Sequence, residues 1–75
     1  ASVDVRLIVR EAIVHRATAI AMCHNHPSGN LMPSRQDDGL TTAVRQDCYT
    51  MDISLLDHVI FTDGGYYSYA DHGRI

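Results

Sequence analysis

Residues 18–37 read Thr18-Ala19-Ile20-Ala21-Met22-Cys23-His24-Asn25-His26-Pro27-Ser28-Gly29-Asn30-Leu31-Met32-Pro33-Ser34-Arg35-Gln36-Asp37, and they decide the fold. Thr18 to Cys23 is a short, nearly unbroken apolar run, which suits a strand covered on both faces. His24-Asn25-His26-Pro27 ends it, and Ser28-Gly29-Asn30 is turn chemistry. A helix begins at Ser34, just after Pro33, and runs to about Thr50. Leu40, Val44, Cys48 and Met51 form its apolar face.

Upstream, Val5, Ile8, Val9, Ala12 and Ile13 recur at helical spacing, with Ser2 or Asp4 available as the cap. Leu7 and Val14 fall on the other side of that helix, so it has apolar residues in two directions. Downstream, Leu55 to Thr62 reads as a second strand. Asp63-Gly64-Gly65 reads as a hairpin turn, Tyr66 to Tyr69 as the return strand, and residues 70–75 as a loose tail. Strand, helix, strand is by default a right-handed parallel crossover. Ligands gather at the carboxyl ends of strands in such sheets, and His24 and His26 sit there. The expected class is therefore α/β, in the order helix–strand–helix–strand–strand.

The chain has 75 residues, enough for one small domain or part of one, and a chain this short buries only about 60% of its unfolded surface. Apolar residues make up 45% and charged residues 20%, which argues against disorder. No apolar run approaches the roughly 20 residues of a membrane helix, and no leader opens the chain. The expectation is no membrane partner. The formal charge is −3, so there is no electrostatic case for a nucleic-acid partner. Two cysteines, Cys23 and Cys48, are too few for a disulfide framework, which points to a reduced, cytoplasmic protein.

His24 and His26, two apart at a strand end, point to the same side. Asp37 lies at the third position of the second helix, on the face that packs against the sheet, whereas Asp38 is rotated about 100° towards water. Two imidazoles and one carboxylate thus converge from different elements, and with an open fourth position they form a zinc ligand set suited to hydrolysis. A His-x-His pair is weak evidence by itself, and Asp37 also fits as a capping-box partner of Ser34.

The full pattern is more specific. His24-x-His26-Pro27 is followed after six residues by Ser34-x-x-Asp37, with ten residues between His26 and Asp37. This resembles the JAMM (MPN-type) metalloprotease signature. His24-Asn25-His26-Pro27-Ser28-Gly29, Pro33-Ser34-Arg35 and Leu55-Leu56-Asp57-His58 look like the RadC family in particular, and the likeness covers nearly the whole chain. The resemblance implies a single partial JAMM domain over residues 1–75, a three-layer, cytidine-deaminase-like fold lacking its N-terminal strands. It implies Zn2+ held by His24, His26 and Asp37, with Ser34 steadying the oxyanion during cleavage of a peptide or isopeptide substrate. It also implies a general-base Glu on a strand upstream of the first helix, absent from this sequence. The expected function is a zinc metallohydrolase domain inactive as this segment. The alternative is a non-catalytic binding or scaffolding module of a family historically linked to DNA repair.

Glu11, the only Glu, reads as a surface residue paired with His15 at i,i+4. Cys23 and Cys48 read as buried small hydrophobes. His58, beside Asp57, reads as a hydrogen-bonded structural histidine, with support of the metal site as the other reading. An open edge on the first strand and the bare Leu7/Val14 side of the first helix predict a homo-oligomer, or the need for a neighbouring segment to cover them.

Overall fold

The computed structural model describes residues 3–75. Helix α1 spans Val5–Val14, strand β1 Ala19–Asn25, helix α2 Arg35–Thr50, strand β2 Ser54–Thr62 and strand β3 Gly65–Ser68. The sheet order is β1-β2-β3, with β1 and β2 parallel and β2 and β3 antiparallel. This is the expected α/β order. The first strand runs two residues further than its apolar run, so His24 lies within it rather than beyond it.

Each helix start has a local cause. Asp4 caps α1, its carboxylate accepting from the Arg6 N–H at 2.9 Å. Ser2, the other candidate cap, lies outside the described residues. Ser34 caps α2 through a complete capping box. Its hydroxyl accepts from the Asp37 N–H at 3.0 Å, and its own N–H donates to Asp37 Oδ2 at 2.7 Å.

Both helices feed one core on a single face of the sheet. Ala12 of α1, Val44 and Cys48 of α2, Ile53, and Leu55 of β2 form it, with Ile8, Ile20, Met22 and Leu40 packed around them. The described residues form two layers, sheet and helices, and the sheet's opposite face is open. Ala21, Cys23, Leu56 and Phe61 are exposed there. A strand covered on both faces was expected from the apolar run. Alternation of burial along β1 shows one covered face instead, and leaves Cys23 exposed rather than buried. Ile13 and Met51 are also exposed, Ile13 at the rim of the α1 stripe and Met51 as the residue that caps the end of α2. Leu7 and Val14 are exposed as expected, and β1 is an edge strand.

One irregularity in β2 matters for the site. Ile20 pairs with Leu55 and Ala21 with Asp57, so Leu56 is an extra residue in the ladder. Strict alternation from Leu55 would turn Asp57 and Val59 to the core and His58 outward. The bulge shifts the phase by one, and His58 and Ile60 are buried instead.

The tail is ordered, not loose. His72, Gly73 and Arg74 donate backbone N–H bonds to Tyr69, Ala70 and Tyr69. Arg74 reaches Asp38 Oδ1 at 2.7 Å and lies over the Tyr69 ring, and the His72 ring stacks on Tyr67. The tail therefore ties the hairpin to the first turn of α2.

Asp57 pins the same hairpin. It accepts from the Ser68 hydroxyl at 2.6 Å, the His58 N–H at 2.7 Å and the Ala70 N–H at 3.0 Å. Burial alone would raise its pKa, but these donors outweigh it and hold the carboxyl below the usual range. A depressed folded pKa gives stability that is present above the unfolded value and lost as pH falls through the folded value. Asp57→Asn is therefore expected to lower the urea midpoint at pH 7 and to lose that deficit progressively below about pH 4, where wild-type Asp57 protonates in the unfolded chain. A deficit unchanged between pH 7 and pH 3 would contradict this.

Candidate metal centre

His24 and His26 reach the helix side of the sheet from the end of β1, on the same parity as the inward-facing Ile20 and Met22. Asp37 faces them from the first turn of α2, held by the capping box. His24 Nε2 lies 3.1 Å from Asp37 Oδ1, and His26 Nε2 lies 3.1 Å from Asp37 Oδ2. One ligand atom from each of the three residues falls within 4.8 Å of the other two. Among the described residues this is the group so placed, and it is the trio expected from the spacing.

The turn after β1 fixes one imidazole. The Gly29 N–H donates to the His26 carbonyl at 3.0 Å, and Gly29 has φ +83°, where glycine carries no strain. The turn brings the Asn30 carbonyl to 2.7 Å from His26 Nδ1. A carbonyl can only accept, so Nδ1 carries the proton and a neutral His26 presents a lone pair at Nε2. That lone pair faces a carboxylate oxygen at 3.1 Å. Two acceptors at this distance need a cation between them, either a proton or a metal. The donor set, two imidazoles and one carboxylate, is one that zinc takes.

His24 Nδ1 meets His58 Nε2 at 2.8 Å, and His58 Nδ1 meets Thr41 Oγ at 2.6 Å. Thr41 Oγ also lies 2.8 Å from the Asp37 carbonyl, one turn back along α2. His58 is 1% exposed and stacks on Tyr69 at 4.9 Å with an interplanar angle of 4°. Burial, then the neighbouring His24, push its pKa down and favour the neutral ring. His58 is thus the buried, hydrogen-bonded histidine that was expected, with His24 and Thr41 as its partners.

Asp37 is held anionic. Burial alone would raise its pKa, but the Ser34 backbone and hydroxyl and the two imidazoles outweigh it. Asp38 points elsewhere, accepting from the Tyr69 hydroxyl at 2.7 Å and pairing with Arg74. Tyr69, buried and bonded to Asp38, has its pKa pushed up to about 12 and stays a neutral donor.

Other candidates lie apart from the centre. Cys23 faces the open side of the sheet, and Cys48 is fully buried in the core. Glu11 is exposed, 3.3 Å from His15 Nε2 and 3.2 Å from Arg10 Nη1, as expected of a surface residue. It stands on the wall of an open apolar groove of about 1100 Å³ that runs between α1 and β1 and ends at His24 and Asp37.

A family model described as a RadC-like JAB domain matches residues 1–74. Among curated relatives, a protein of Porphyromonas gingivalis named UPF0758 protein is 48% identical over 99% of the chain and 33% of its own length. One of Flavobacterium johnsoniae with the same name is 42% identical over 95% of the chain and 31% of its length. The UPF0758 protein of Pseudomonas entomophila is 44% identical over 97% of the chain and 32% of its length. The chain thus spans about a third of the length of the relatives it matches.

Proposed function

The chain belongs to the RadC-like JAB domain family, and on that premise we propose that it carries the zinc-binding part of a metallohydrolase site that cleaves an amide or isopeptide bond in a peptide substrate. The observation that carries the reading is the meeting of His24 Nε2, His26 Nε2 and the Asp37 carboxylate, with His26 locked in its ligating tautomer by the Asn30 carbonyl. These three residues would hold the metal, which when bound would polarise the substrate carbonyl and acidify a water at neutral pH.

The chain's own residues would do the rest. Asp37, anionic and anchored at both oxygens, supplies the negative charge of the ligand set. The Ser34 hydroxyl accepts from the Asp37 N–H through a lone pair, and its proton would turn from the Asp37 carboxylate to an oxyanion beside the metal. The groove along β1 gives an extended peptide an edge strand to lie against. The general base is proposed to come from the remainder of a longer protein, because Glu11 is engaged on the surface and Asp38 is bound to Tyr69 and Arg74.

As an isolated segment the chain is then hydrolytically inactive, and zinc still binds. It self-associates through the β1 edge and the exposed Leu7/Val14 side of α1. A binding or scaffolding role is the second reading, favoured by the engaged state of Glu11. A role in DNA repair draws no support from the net charge of −3. Free Cys23 and Cys48 suit a reducing compartment such as the cytoplasm, and no helix among the described residues is long and apolar enough to cross a membrane.

The test is hydrolysis of peptide and isopeptide-linked substrates by a full-length relative carrying this segment, with zinc added. Turnover abolished by His26→Ala is expected. Turnover that survives this change would overturn the assignment of hydrolysis to this site, and no turnover on any substrate would overturn the hydrolase reading in favour of the binding module.

A further inference from the structure

Outside the three ligands, the strongest feature is the chain of contacts His24 Nδ1–His58 Nε2, His58 Nδ1–Thr41 Oγ and Thr41 Oγ–Asp37 carbonyl, at 2.8, 2.6 and 2.8 Å. We propose that Thr41 and His58 are positioning residues that set the tautomer of His24, and so decide whether its Nε2 is open to a metal. The inference rests on the zinc reading above.

Only one proton fits between His24 Nδ1 and His58 Nε2. With both rings neutral, two arrangements serve the His24–His58 and His58–Thr41 contacts, and the first leaves His24 Nε2 and Asp37 Oδ1 as facing acceptors that a metal would bridge. In the first, the Thr41 hydroxyl donates to the Asp37 carbonyl and accepts from His58 Nδ1–H. His58 Nε2 then accepts from His24 Nδ1–H, and His24 Nε2 carries a lone pair. In the second, the Thr41 hydroxyl turns to donate to His58 Nδ1, His58 Nε2–H donates to His24 Nδ1, and His24 Nε2–H points at Asp37 Oδ1. Both arrangements hold the same number of protons on the two rings, and only the first can ligate.

The geometry therefore links three residues that do not touch the metal position equally. His26 needs no such device, because the Asn30 carbonyl leaves its tautomer no choice. His24 has a partner that can donate or accept, and Thr41 makes the ligating arrangement available by offering His58 Nδ1–H an acceptor. Stacking on Tyr69 holds the His58 ring in place. The bulge at Leu56 is what brings His58 to the inner side of the sheet at all.

Thr41→Val keeps the shape and removes the acceptor. An unpaired N–H is the less tolerated orphan, so His58 moves to its Nε2–H form and His24 follows. Two readouts test this. Long-range nitrogen–proton correlation spectra of the metal-free protein report each ring's tautomer. The proposal requires His24 and His58 to carry the proton on the same-named nitrogen in wild type, and both at Nε2 in Thr41→Val. Competition with a chromophoric chelator reports zinc affinity. Thr41→Val should bind zinc about 10-fold more weakly, within the range for lost outer hydrogen bonds, whereas Thr41→Ser should stay within about 2-fold of wild type. Opposite tautomers in the two rings, or a folded Thr41→Val with wild-type zinc affinity, would overturn the proposal. If wild type binds no zinc, the zinc reading falls and the tautomer pairing alone decides the relay.

Discussion

His26→Ala is expected to leave the protein folded and without bound zinc, and Asp37→Ala to do the same at a greater cost in stability. Each removes one of three candidate ligands whose donor atoms lie within 4.8 Å of one another. Loss of a supporting hydrogen bond costs 10- to 100-fold in metal affinity, and loss of a ligand exceeds that. The fall should therefore be more than about 100-fold. His26 is the cleaner test, because its hydrogen bond to the Asn30 carbonyl spans only a local turn. Asp37 also closes the capping box with Ser34, so its alanine variant loses the accepting oxygen at the start of α2 as well. Asp37→Asn separates the two roles. Its amide oxygen can still accept from the Ser34 N–H, but the anionic ligand is gone. Zinc retained at one per chain in both His26→Ala and Asp37→Ala would show that the metal lies elsewhere.

Ser34→Ala should have two separable effects. Removing the cap costs about 1 kcal/mol, read as a lower urea midpoint in this segment. In the full-length protein the same change should lower kcat about 10²-fold, the loss expected for one oxyanion donor. The hydroxyl can serve both ends, because the capping bond uses its lone pair and its proton can turn from the Asp37 carboxylate to the oxyanion. Ser34→Thr keeps cap and donor and should retain most of both. A full rate in Ser34→Ala, with the stability loss still present, would leave Ser34 as a cap only.

The trio of candidate ligands was legible because each residue follows a simple period. His24 and His26 share a face by the two-residue repeat of a strand, and Asp37 shares a face with Leu40, Val44 and Cys48 by the helical repeat. The capping box was legible for the same reason, since Ser34 and Asp37 are three apart. The role of His58 was not, because it depends on the extra residue at Leu56. A bulge leaves no periodic mark in four residues reading Leu55-Leu56-Asp57-His58, yet it decides which of them face the core.

The bare face of β1 was hidden for a different reason. Ala21 and Cys23 are small and apolar, so the run from Ala19 to Cys23 looks the same whether one face is covered or two. The order of the tail was hidden because it rests on contacts distant in sequence. Arg74 meets Asp38 across 36 positions, and Tyr69 meets Asp38 across 31.

The most direct measurement of the central claim is the zinc K-edge absorption spectrum of the zinc-loaded chain. A first shell of nitrogen and oxygen only is expected, at about 2.0–2.2 Å, with the outer-ring scattering of two imidazoles. His26→Ala should reduce that scattering to one ring or remove the metal. A sulfur shell near 2.3 Å, which Cys23 or Cys48 would give, or a wild-type spectrum without imidazole scattering, would contradict it.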